Sequence, residues 1–321
     1  MTRNGMARRD SMRIRLFLAI LVMSLLLTGC EFTTQQPTAG KLNYLVIGER
    51  YYAYYSTKTI YRLRYTDSDA TSVAKTIVNL AGESGMTVGT GFVMTEGEGT
   101  VYSSDYPTLD NVKQHLSDLA DASDDSTLTI IFYSGHGTKP GGSLCFVKST
   151  YAGQTYMAVD EAGNSTIDDM DFFAPKDFLS MVNTIKGRKL ILLDSCYSGI
   201  FADDYGLTSN KDTSTGNLWD AYFTSGSYSD IFMLTASTSA TYSYEFTEKK
   251  HGFFTYFLLL GLGWKSDTVF SDFQATDSKG RVTVDSLYAY IYSNSIQWKN
   301  QYPQHVTTNG DADNLVLYSG S

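Results

Sequence analysis

Cysteine is scarce in this chain: three residues in 321, at positions 30, 145 and 196. Three cannot supply the even-numbered framework that staples small secreted domains. No CxxC pair and no cluster among the four histidines has the spacing of a zinc site. Positive charge is also in deficit. The formal net charge is −9, a poor match for nucleic acid, whose binding rests on cationic contacts to phosphates. Adhesion to anionic lipid by charge is excluded on the same ground. The long apolar run Leu16–Leu27 has 12 residues, short of the ~20 that a spanning helix needs. No internal repeat is visible.

What is present begins at the amino terminus. Arg3, Arg8, Arg9, Arg13 and Arg15 precede the apolar run, which closes on Leu27-Thr28-Gly29-Cys30. A basic region, a short apolar core and small residues predict a secretory signal over residues 1–29. Arg8-Arg9 lacks the apolar residues that follow a twin-arginine pair, so ordinary secretion is expected. Met12 offers an alternative start. The closing tetrapeptide resembles the lipobox of bacterial lipoproteins, which implies cleavage before Cys30 and a diacylglyceryl group on its sulfur. The bilayer partner would then be held by lipid on the extracytoplasmic side, periplasm or cell surface. Removing five Arg and one Asp takes the net charge from −9 to −13. Residues 30–40 read as the lipidated cysteine and a short tether. Residues 41–321 are long enough for one α/β domain.

Two stretches sixty residues apart carry the chemistry. Thr127–Tyr133 is an apolar run feeding Ser134-Gly135-His136-Gly137, and Lys189–Leu193 feeds Asp194-Ser195-Cys196-Tyr197-Ser198-Gly199. Runs covered on both faces read as buried parallel strands. Strands over 41–47, 86–94, 231–235 and 314–318 alternate with helices over 67–81, 108–119, 178–185, 252–262 and 284–296. This order predicts a mainly parallel central sheet flanked by helices. Ligands gather beyond the carboxyl ends of such strands. If the two runs are neighbours, an imidazole and a thiol stand side by side there, as a Cys/His nucleophilic enzyme requires. Side chains two apart share a strand face, so Asp194 belongs beside Cys196 and Ser134 beside His136. Long excursions over 137–174 and 200–230 sit where substrate loops are kept.

Tyr133–Gly137 and Asp194–Gly199 together resemble the caspase and metacaspase superfamily of cysteine peptidases. Tyr65–Ala70, Leu234–Ser239, His251–Tyr256 and Tyr302-Pro303-Gln304 extend the resemblance in the same order along the chain. It implies a caspase-like three-layer sandwich, with Cys196 as nucleophile and His136 as its acid–base partner on a peptide or protein substrate. The backbone N–H groups of Gly137 and Cys196 would hold the oxyanion. Relatives of the metacaspase type line a basic-selective P1 pocket with residues matched here by Asp194, Ser134 and Asp69; where many carry cysteine this chain has Thr66. Cleavage after Arg or Lys follows as an expectation. Relatives often mature by cleavage after the catalytic cysteine, and Lys211 is the single basic residue between Cys196 and Lys249. A silent, peptide-binding surface lipoprotein of the same fold is the alternative.

Plainer readings stand beside these. Asp69, with Asp67, suits a helix start on capping and dipole grounds. Cys145 reads as a buried hairpin residue, and His251 as a residue that caps or packs at the apolar helix. No cofactor is expected; calcium at Asp168, Asp169, Asp171, Asp203 and Asp204 would follow the habit of some metacaspases, although their spacing matches no EF-hand loop.

Overall fold

The computed structural model describes residues 40–50, 63–96, 103–137, 143–147, 170–196, 228–237, 242–299, 303–307 and 314–320. By contacts the chain divides into Met1–Pro37 and Thr38–Ser321, and all described residues lie in the second unit.

Strand β1 (Lys41–Gly48) leads into helix α1 (Thr66–Glu83), β2 (Thr87–Thr95), α2 (Leu109–Ala122) and β3 (Thr127–Gly135). The short strands β4 (Leu144–Val147) and β5 (Met170–Phe173) form an antiparallel pair. Then come α3 (Pro175–Val182), β6 (Arg188–Ser195) and β7 (Ile231–Thr235). A hairpin of β8 (Glu245–Phe246) and β9 (His251–Gly252) precedes α4 (Phe253–Gly261). Strands β10 (Trp264–Ser266), β11 (Val269–Phe270) and β12 (Arg281–Thr283) follow. Helix α5 (Val284–Lys299), β13 (Gln304–Thr307) and β14 (Val316–Ser319) complete the order.

The central sheet runs β13-β7-β6-β3-β1-β2. Five strands are parallel and β13 alone is antiparallel, against β7. Strands β3 and β7 are buried along their whole length and β6 along all but its first residue. Alternate side chains therefore feed two cores. Leu128, Ile130 and Phe132 of β3 join Val73 and Ile77 of α1, Leu258 of α4 and Leu287 of α5. Ile131 and Tyr133 face the opposite way and join Leu116 of α2 and Phe178 of α3. Helices thus cover both faces of the sheet, the three-layer arrangement the residue pattern predicts. β14 pairs with β12 in a sheet of its own, so the predicted last strand forms outside the central sheet, whose sixth strand is β13.

The helices form for local reasons. The stripe Ala70, Val73, Ala74, Ile77, Leu80 and Ala81 is buried in α1 at the 3.6-residue period. Thr108 caps α2, its hydroxyl accepting from Asn111 N at 3.2 Å. Pro175 opens α3, where its missing N–H costs nothing. The entry to α1 has no side-chain cap of its own. Instead Glu245 reaches across from β8 and accepts from Arg64 N at 2.5 Å and Tyr65 N at 2.9 Å. Because β1, β3 and β6 run parallel, their carboxyl ends share one edge, and α1 starts at that edge.

Candidate active site

The register of β3 against β6 pairs Ser134 with Asp194 and Gly135 with Ser195. The next residues, His136 and Cys196, stand one step beyond two adjacent strand ends. The turn carrying His136 is clamped: its carbonyl accepts from Tyr133 Oη at 2.9 Å and from Cys145 N at 3.2 Å. Gly137 presses on the backbone of Cys196. A Cβ there would lie 2.1 Å from the Cys196 carbonyl oxygen, a contact no side chain tolerates.

Cys196 is half-buried and its Sγ donates to Ser243 O at 3.7 Å. Burial pushes the thiol above its ordinary value; the Ser243 backbone contact offsets part of this, and the Asp194 carboxylate raises it further. These surroundings favour the thiol over the thiolate, and a thiol needs a base to become a nucleophile.

Beside the strand ends lies a small pocket, about 30 Å³, lined by Thr66, Asp69, Ser134, Asp194, Ser243 and Glu245 among others. Two buried carboxylates share it. Asp69 Oδ2 accepts from Ser134 Oγ at 2.8 Å, and Oδ1 accepts from His251 Nδ1 at 2.8 Å and Gly252 N at 3.1 Å. Asp194 Oδ1 accepts from Ser243 Oγ at 2.5 Å. Its Oδ2 accepts from Thr255 Oγ1 at 2.7 Å and Thr255 N at 3.1 Å. Burial, and then the neighbouring charge of Asp69, push Asp194 up to about 7, against the opposing hydrogen bonds. Burial raises Asp69 likewise, opposed chiefly by His251. No Lys or Arg of the described residues pairs with either carboxylate. Thr66 Oγ1 is buried in the same pocket without a hydrogen-bond partner. Gly252 must be glycine here, since a Cβ would fall 2.1 Å from Asp194 Oδ2.

The caspase domain family profile matches residues 44–311. The chain belongs to the caspase family. It is similar to metacaspase-4 of Arabidopsis thaliana, 29% identical over 104 residues. That match covers 32% of this chain and 23% of the plant protein. Among solved structures, caspase-1 of Spodoptera frugiperda aligns at 10% identity over 88% of this chain and 92% of its own, TM-score 0.45. A protein of Geobacter sulfurreducens aligns at 17% identity over 83% and 92%, TM-score 0.44.

Set against the family, the four pocket residues expected from sequence, Thr66, Asp69, Ser134 and Asp194, converge on one cavity. Gly137 lies against the Cys196 backbone, and His136 and Cys196 each follow directly on a strand whose end lines that cavity. Asp69 does stand in the first turn of α1 with Asp67, as the helix-start reading has it, but it makes no cap bond; its side chain turns inward, 1% exposed, and bonds to Ser134 and His251. Cys145 is the buried hairpin residue expected, in β4, with burial raising its thiol above its ordinary range. His251 packs against Trp264 as a plain reading holds, with ring centroids 5.1 Å apart and edge-to-face, but it also binds Asp69. That bond, and the roles of Ser243, Thr255 and Glu245, were not read from the sequence. One signal was present: Thr255 is a hydroxyl inside the apolar run Phe253–Leu260, and a buried hydroxyl needs a partner. Cys30, Lys211, Asp168, Asp169, Asp203 and Asp204 lie outside the described residues. Among those described, Asp171 included, no group of three His, Cys, Asp or Glu could hold a metal ion.

Proposed function

We propose that this caspase-family protein is a cysteine endopeptidase that cleaves after Arg or Lys through His136 and Cys196. The observation that carries the reading is the pocket beside Cys196, which holds two buried carboxylates that no Lys or Arg among the described residues pairs with. Burying charge without a partner is costly, so such a site favours a ligand that supplies a cationic group. A P1 guanidinium or ammonium would lie between Asp69 and Asp194, with Ser134 Oγ and the unpartnered Thr66 Oγ1 as further polar contacts.

In the reaction, His136 takes the thiol proton as Cys196 Sγ bonds to the scissile carbonyl carbon. The carbonyl oxygen becomes an oxyanion, held by the backbone N–H groups of Gly137 and Cys196. Collapse breaks the C–N bond while His136 returns the proton to the leaving amine. Water, losing its proton to His136, then attacks the thioester, and the acid and the thiol are released. The close fit of Gly137 on Cys196 O supports a fixed donor geometry.

A lipid anchor on Cys30 and an extracytoplasmic site of action belong to the same proposal and rest on the Leu27–Cys30 tetrapeptide. The decisive experiment compares fluorogenic peptides with Arg, Lys, Asp and Asn at P1 on wild type, Cys196→Ala and His136→Ala. Arg and Lys peptides should be cleaved by wild type alone; turnover surviving in Cys196→Ala, or a wild-type preference for Asp, would overturn the reading.

A further inference from the structure

Asp69 stands on the first turns of α1, yet the groups that orient it come from elsewhere in the chain. Gly252 N and His251 Nδ1 reach it from β9, and Ser134 Oγ from β3. Of these donors His251 is the one whose ring can carry charge, and it is buried with Asp69 at 5% and 1% side-chain exposure. The imidazole also lines a second, open groove of about 640 Å³, with Trp264, Lys249, Lys250 and Asp67. Its ring therefore forms part of the wall between that groove and the carboxylate pocket. Trp264 packs edge-to-face against it.

We infer that His251 is a positioning residue for P1 recognition: its Nδ1–H holds the Asp69 carboxylate aimed into the pocket. The inference rests on the basic-P1 reading above and adds a residue to it. The physical reason is that Asp69 is buried, and burial alone favours its neutral form. A donor at 2.8 Å stabilises the anion, and losing a hydrogen bond to a charged group is worth one to two factors of ten. Without it, Asp69 loses a donor that favours its charged form and fixes its aim, which weakens its match to a guanidinium's charge. The effect should therefore fall on cationic side chains more than on a neutral group of the same shape.

The test uses two fluorogenic peptides that differ only at P1, one with arginine and one with citrulline, its uncharged near-isostere. His251→Phe keeps an aromatic ring against Trp264 and removes the donor. His251→Asn returns an amide N–H close to the Nδ1 position. Folding of each variant is checked by thermal melting. In His251→Phe the arginine-to-citrulline ratio of kcat/KM should fall roughly 10- to 100-fold, chiefly through KM for the arginyl peptide, and His251→Asn should recover most of it. A ratio unchanged in His251→Phe overturns the inference. So does equal loss of both peptides in a folded variant, or an Asn variant that behaves like Phe. A wild type with no preference for arginine over citrulline would instead overturn the basic-P1 reading itself, so the two failures are distinguishable.

Discussion

Asp194→Asn should make the unliganded protein more stable while disabling it. The carboxyl stands at about 7 rather than 3.8 because of burial and the Asp69 charge. That difference of roughly three units corresponds to ~4 kcal/mol between its charged and neutral forms. The sign follows from linkage. An acid whose folded pKa is raised favours the folded state below pH 3.8, and that contribution is lost as pH rises through about 7. At pH 8 the free protein therefore carries nearly the full penalty; at pH 5 it carries less than half of it, and near pH 4 little. Asparagine never ionises. Its carbonyl oxygen can accept from Thr255 N and Oγ1 in place of Oδ2, and its amide faces Ser243 Oγ, which can turn to accept. In a Cys196→Ala background, which prevents self-cleavage, Asp194→Asn should gain ~2–4 kcal/mol at pH 8. That is a rise in Tm of roughly 5–10 °C for a domain of this size. The two melting curves should converge as pH falls toward 4. With the thiol intact, kcat/KM for arginyl peptides should drop about 10²-fold or more, the cost of removing one partner of a buried charge pair. Equal or lower Tm for the variant at every pH from 4 to 8 would refute the reasoning, and would make Asp194 an anchor for Ser243 and Thr255 rather than a waiting charge.

Gly137→Ala should cut turnover at least 100-fold, because its Cβ meets the Cys196 carbonyl at 2.1 Å and must displace the oxyanion donors; a variant with wild-type kcat would contradict the close fit. Cleavage after Lys211 in wild type should yield a new amino terminus at Asp212 by mass spectrometry, missing from Cys196→Ala and Lys211→Ala; an intact, fully active wild type ends that proposal. Cys30→Ser should abolish metabolic labelling by fatty acid, and labelling that persists would remove the lipid anchor.

The parts of this molecule legible in sequence are those whose partners are local or periodic. Thr127–Tyr133 and Lys189–Leu193 announce β3 and β6 because strands covered on both faces leave few polar positions, and the structure buries nearly every residue of both. Ser134 and Asp194 are placed on the right face by the two-residue strand period alone. The β8–β9 hairpin is different. Each strand is two residues long, too short to show any period, and its hydrogen bonds reach across 180 residues or more, from Glu245 to Arg64 and from His251 to Asp69. Strand β13 escapes for a related reason: four residues paired antiparallel at an edge give a weak pattern and no clue to which strand they join. Asp69 shows how a local rule can hold and still leave out the tertiary contacts. A carboxylate in a first helical turn fits the dipole, but α1 buries that face, and burial with Ser134 and His251 decides the role.

These same contacts explain why a protein would keep two carboxylates in a pocket without a cation. Each is surrounded by donors sufficient to hold its geometry, yet both remain raised above their ordinary values. Hydrogen bonds thus fix position while leaving the charge uncompensated. A hydrophobic or neutral side chain entering the pocket relieves none of that electrostatic load, whereas a guanidinium relieves it for both groups at once. On the basic-P1 proposal, stability withheld from the free protein would become binding energy available to a cationic side chain. The arrangement also ties recognition to chemistry. Ser243 donates through its hydroxyl to Asp194 and accepts through its carbonyl from the Cys196 thiol. The residue that steadies the specificity carboxylate therefore also holds the resting sulfur.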